Sequence, residues 1–113
     1  MKDDRLYLIH IGECIDRILR YTVGGRDAFL RDSMVQDAVT RNLQVLAEST
    51  QRLSDAVKVR RPEVDWRAVA AFRNVVVHDY LGLDIPQIWG IVERDLWPLK
   101  QAVEATLEEL GSR

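Results

Sequence analysis

Apolar residues return at every third or fourth position along almost the whole of this 113-residue chain, and that period selects α-helix. Leu8, Ile11, Ile15, Ile18 and Thr22 form one stripe, while His10, Glu13, Arg17 and Arg20 gather on the other side. Gly24-Gly25 then ends the helix, and a short segment near Arg26–Arg31 follows with Phe29 as its anchor. Val35, Val39, Leu43, Leu46, Thr50 and Leu53 form the second long stripe, opened by Ser33 with Gln36 in capping-box spacing. Arg60-Arg61-Pro62 marks a loop, and Asp65 is placed to cap a third helix that starts at Trp66. Trp66, Val69, Ala70, Val76, Val77 and Tyr80 make its stripe, with Arg73 in the middle of it. A last helix opens at Asp84, with Pro86 in its first turn and Ile88, Val92, Leu96, Leu99, Val103 and Leu110 in phase. Pro98 removes a backbone donor in mid-run and predicts a kink. Val75-Val76-Val77 suits a strand on propensity, but no pairing partner exists elsewhere in the chain. The expected fold class is therefore all-α: an antiparallel four-helix bundle with one extra short helix, its last helix kinked near Pro98, forming one domain over 1–113.

Composition narrows the function classes. No apolar run approaches the roughly 18 residues needed to span a bilayer, and the N-terminus lacks a secretory h-region. A single cysteine, Cys14, excludes an internal disulfide and fits a reducing cytoplasm, so a cytoplasmic location is expected. With that cysteine and two histidines, His10 and His78, a zinc site is not expected. Net charge is −2, too little to capture nucleic acid by a global field. The charge is unevenly spread. Residues 52–78 carry six bases (Arg52, Lys58, Arg60, Arg61, Arg67 and Arg73) against three acids, whereas residues 79–113 carry seven acids against three bases. Arginine dominates the basic side, and its planar fork suits phosphate. The plain alternative for the loop arginines is a solvated surface of mixed charge.

One segment breaks the apolar pattern with groups that phosphodiester chemistry uses: Arg73-Asn-Val-Val-Val-His78-Asp-Tyr80. On a helix, Arg73 and Tyr80 fall on one ridge and Asn74 and His78 on the next. A buried or half-buried Arg73 needs an anion, and Glu48, Asp79 or Glu93 could supply it within the bundle. His78 titrates near neutrality and would serve as a general acid or base, with Asn74 and Asp79 to orient it. Read without function, His78 is a hydrogen-bonded structural residue and Tyr80 a core aromatic. His10 reads as a solvated residue on the polar stripe. Trp66, Trp89 and Trp97 read as packing residues, although an aromatic near Arg60-Arg61 could stack a base.

Arginine, four residues, histidine, one residue and tyrosine, in a small all-helical chain, resembles the HepT-like branch of the HEPN superfamily. Residues 4–11, 34–43 and 91–98 look like that family's first, second and last helices, so the resemblance covers essentially the whole chain. It implies a HEPN-like bundle and a metal-independent endoribonuclease toxin that needs no cofactor. The family's antitoxin is an MNT-domain nucleotidyltransferase, which uses ATP and Mg²⁺ to adenylylate a tyrosine. By this resemblance Arg73 would hold the scissile phosphate and His78 would move protons. Asn74 and Asp79 would support them, and Tyr80 would be the modified residue. Each motif holds one such histidine, so two copies of His78 and Arg73 facing across a homodimer cleft are expected to complete the RNA site. The rival reading is a non-catalytic helical subunit that binds a minimal nucleotidyltransferase.

Overall fold

The computed structural model describes residues 3–77 and 84–111. Its helices are α1 (Asp3–Tyr21), α2 (Gly25–Arg31), α3 (Ser33–Gln51), α4 (Asp55–Val59), α5 (Trp66–Val77), α6 (Ile85–Arg94) and α7 (Leu96–Gly111), with no strand among the described residues. The all-α expectation is met. The α1 stripe is buried as its period requires: Leu8, Ile11, Cys14, Ile15 and Ile18 are all in the core. Val39, Leu43 and Leu46 of α3 meet them, with Leu96, Leu99 and Val103 of α7 and Ile88 of α6. Helix α1 packs against both α3 and α7, and α5 packs against α3.

Polar contacts give the directions. Asp4, at the start of α1, bonds Ser54 just beyond the end of α3, so these two helices run antiparallel. Lys100 near the start of α7 reaches Asp16 late in α1, so that pair is antiparallel as well. The Glu104 carboxylate, then that of Asp16, raises the Lys100 pKa above its ordinary value. At the far end of α7, Thr106 and Glu109 meet Arg61, which precedes α5.

Helix ends follow the sequence with two corrections. The Asp65 carboxylate accepts from Ala68 N at 3.0 Å and that of Asp84 from Gln87 N at 3.2 Å, both as expected. At α3 the cap is Asp32, not Ser33: its Oδ1 accepts from Met34 N and Val35 N at 3.0 and 3.2 Å. Gln36 is then one position late for a capping box, and its Nε2 donates to Phe29 O at 2.9 Å, tying α3 to α2. Gly25 holds φ +87° at the sharp entry to α2, a region where side chains are strained. Phe29 is buried, as an anchor should be, and stacks at 5.3 Å on Trp89.

The second correction concerns short elements. Besides α2 there is α4, five residues capped by the Ser54 hydroxyl and held by buried Val57. One turn is too short to leave a periodic signal. The kink expected near Pro98 falls at Asp95, between α6 and α7. Proline lacks an N–H and its ring crowds the carbonyl four residues earlier, here that of Arg94, so the ladder yields one turn upstream. Pro98 then sits in the first turn of α7, where no donor is needed.

Candidate functional site

The start of α5 is fixed from three sides. Beyond the Asp65 cap, the Trp66 ring N–H lies 3.0 Å from Arg61 O and 3.2 Å from Lys58 O, shared between the two carbonyls. Arg61 Nε donates to Thr106 Oγ1 at 2.8 Å, and its guanidinium pairs with Glu109. Arg60 donates to the other oxygen of Glu109 at 2.8 Å. Arg60 thus stays on a surface of mixed charge, as the plain alternative had it, whereas Arg61 is largely withdrawn from solvent. Two of the six bases between residues 52 and 78 hold the loop onto α7, and Trp66 serves the same anchor.

From this fixed start the helix turns Val69 and Phe72 inward, both about 2% exposed. Three residues apart, they define the face that packs on α3. Arg73 is therefore exposed rather than set within the apolar stripe. The reason is phase: positions 69 and 73 suit a helical stripe as well as 69 and 72 do, and burial of the Phe72 ring favours the second.

Arg73 borders a polar depression of about 370 Å³ with Glu48, Gln51 and Arg52 from the last turns of α3. None of these four side chains makes a hydrogen bond or ion pair with another described residue, so neither Glu48 nor Glu93 neutralises Arg73. Two guanidinium groups against one carboxylate leave the depression net positive. A second groove of about 350 Å³ lies between α1 and α3, lined by Leu6, Tyr7, His10, Val45, Glu48, Ser49 and Arg52. Glu48 and Arg52 line both, so the two are adjacent. His10 is half-buried in that second groove rather than fully solvated.

Asn74 follows Arg73 on the α5 backbone, but its side chain and all of His78, Asp79 and Tyr80 lie outside the described residues. Sequence reasoning counted Arg52 only as charge and Glu48 only as an internal partner, and it passed over Gln51. Their signal was present: 48, 51 and 52 are spaced as one polar face at the end of α3. Among the described residues, no three His, Cys, Asp or Glu side chains converge as metal ligands do, and no helix is long and apolar enough to cross a membrane.

Comparison with known proteins gives the family of the chain. The family model described as "Ribonuclease HepT-like" matches residues 11–106, which include the whole of α3 and α5 and the arginine–histidine–tyrosine segment. A Thermococcus cleftensis protein named "Probable ribonuclease HepT" is 34% identical over 100 residues, 87% of this chain and 90% of its own length. A Methanocaldococcus jannaschii protein named "Gamma-glutamylcyclotransferase and putative RNase" is 31% identical over 110 residues, 96% of this chain. This chain spans 50% of that relative's length. No solved structure matches. With the family model covering most of the helical framework, the chain belongs to the HepT-like ribonuclease family.

Proposed function

We propose that the chain is an endoribonuclease toxin that cuts RNA without a metal ion, in the cytoplasm, with Arg73 and His78 as its reactive pair. The observation that carries this reading is Arg73 itself, an exposed arginine with no partner among the described residues, on the helix that a ribonuclease family model spans. In the proposed reaction the substrate's 2′-oxygen attacks the adjacent phosphorus and the bond to the 5′-oxygen breaks. The products are a 2′,3′-cyclic phosphate and a 5′-hydroxyl. One histidine takes the 2′ proton and another gives a proton to the leaving 5′-oxygen. Arg73 stabilises the charge that builds on the phosphoryl oxygens. Asn74 and Asp79 orient the histidine.

Each chain offers one motif histidine, so the reading includes a homodimer whose two α5 helices face across a cleft. It also includes control by an MNT-domain nucleotidyltransferase antitoxin. That partner uses ATP and Mg²⁺ to transfer AMP to the Tyr80 oxygen, with release of pyrophosphate. A phosphate anchored close to Arg73 competes with substrate for the same cation.

The test is cleavage of single-stranded RNA in EDTA by the wild-type chain, by Arg73→Ala and by His78→Ala. Fold is monitored by circular dichroism and assembly by sedimentation. The expected result is cleavage and growth inhibition by the wild type alone. Folded variants that cut RNA as well as the wild type does would overturn the assignment, and a cleaving wild type that is strictly monomeric would overturn the shared cleft.

A further inference from the structure

We infer that the two adjacent depressions beside Arg73 form a nucleotide subsite, which binds the RNA residue next to the cut. This inference rests on the ribonuclease reading and adds a substrate-selecting surface to it. The phosphate of that nucleotide lies between Arg52 and Arg73, and its base lies in the groove between α1 and α3.

The two compartments differ in chemistry as the two halves of a nucleotide do. The one shared by Glu48, Gln51, Arg52 and Arg73 is polar and carries two cations that have no side-chain partner among the described residues. The other presents Leu6, Tyr7 and Val45 to a planar ring, with His10 and Ser49 at its wall as hydrogen-bonding groups. Its volume of about 350 Å³ is ample for a base. Glu48 and Arg52 stand in both walls, so the two compartments are neighbours, and a ligand that fills both passes these two side chains.

Glu48 lines both compartments, and its carboxylate can only accept hydrogen bonds. It disfavours a bare polyanion and suits a ligand that brings donors, such as a ribose hydroxyl or a base N–H. Charge complementarity thus favours a ribonucleotide as occupant. A second copy of this chain, seated on exposed Leu6 and Ile9, is the competing occupant.

The test first maps where the wild-type chain cuts a mixed-sequence single-stranded RNA. An oligonucleotide with 2′-deoxyribose at the cut is then bound to wild-type protein and to Arg52→Ala, His10→Ala and Leu6→Ala. The binding series is repeated with an abasic ribose at each flanking position in turn. Loss of the base is expected to weaken wild-type binding about tenfold at one flanking position, the scale of one stacked base. That penalty should shrink to about twofold or less in His10→Ala and Leu6→Ala. Arg52→Ala should weaken binding of all the oligonucleotides alike and flatten the salt dependence. KM for the cleavable substrate should rise in the same order. Equal penalties in wild type and variants at every position would overturn the subsite while leaving the ribonuclease reading intact. Variants that dissociate a dimer without changing the abasic penalty would assign the groove to a second copy and overturn it too. A wild-type chain that neither binds nor cuts RNA ends both.

Discussion

Asp4 and Ser54, fifty residues apart, share two hydrogen bonds: one carboxylate oxygen accepts from Ser54 N at 2.8 Å and the other from its hydroxyl at 2.7 Å. The same hydroxyl accepts from Val57 N and caps α4. One pair therefore joins the start of α1 to the corner after α3 and begins the path to α5. Burial raises the Asp4 pKa, the hydrogen bonds from Ser54 N–H and O–H are among the causes that lower it, and the net result leaves the carboxyl below its ordinary value. A lowered carboxyl contributes stability above its unfolded value of about 3.9, and this is lost as pH falls through the lower folded value.

Asp4→Ala should cost about 1–3 kcal/mol, because Ser54 loses a charged acceptor in a half-buried place. Urea midpoints at pH 7 and pH 3 check this. The gap between wild type and variant should narrow at the lower pH, and a gap independent of pH would mean that Asp4 acts through packing alone.

Neighbouring substitutions on α5 should separate stability from function. Phe72→Ala removes a ring that is 2% exposed and should cost about 3–5 kcal/mol. Arg73→Ala, at an exposed position, should leave the melting temperature almost unchanged while lowering RNA cleavage about 10²–10³-fold. Calorimetry beside a cleavage assay reads both. Strong destabilisation by Arg73→Ala would show that the side chain is part of the packing.

The loop arginines should differ from each other. The Arg61 side chain is 15% exposed and meets both Thr106 and Glu109, so Arg61→Ala should cost about 1–3 kcal/mol. Arg60, with half its side chain in solvent, should cost less than about 1 kcal/mol. A double-mutant cycle with Glu109→Ala measures each pairing. Salt-dependent RNA binding that drops equally in both variants would instead mark them as phosphate contacts.

Modification should be legible by mass. On the proposed control by adenylylation, co-incubation with an MNT-domain nucleotidyltransferase, ATP and Mg²⁺ should raise the intact mass by whole AMP units, and Tyr80→Phe should abolish the gain. A gain that persists in Tyr80→Phe would move the acceptor elsewhere.

The sequence carried the helical framework well for a physical reason. The α1 stripe, the caps at Asp65 and Asp84 and the break before Pro98 all rest on interactions within about four residues, which local order encodes. The α3 cap was misread by one position because Asp32 and Ser33 are both good capping residues, and the Gln36 contact with Phe29 goes with the first. The candidate site was harder. Its arginine–histidine–tyrosine segment stood out in the sequence, but the surroundings of Arg73 did not.

By itself the sequence determined an all-helical chain, the caps at Asp65 and Asp84, and an arginine–histidine–tyrosine segment foreign to a plain core. Tertiary structure alone decided that Phe72 turns inward and Arg73 outward, that Arg60 and Arg61 are engaged by Glu109, and that Glu48 and Arg52 line two neighbouring grooves. The phase of a 12-residue helix, where two stripes fit equally, is settled only by the volume it must fill against α3. Ion partners separated by more than forty residues are likewise chosen by the packing that brings them together.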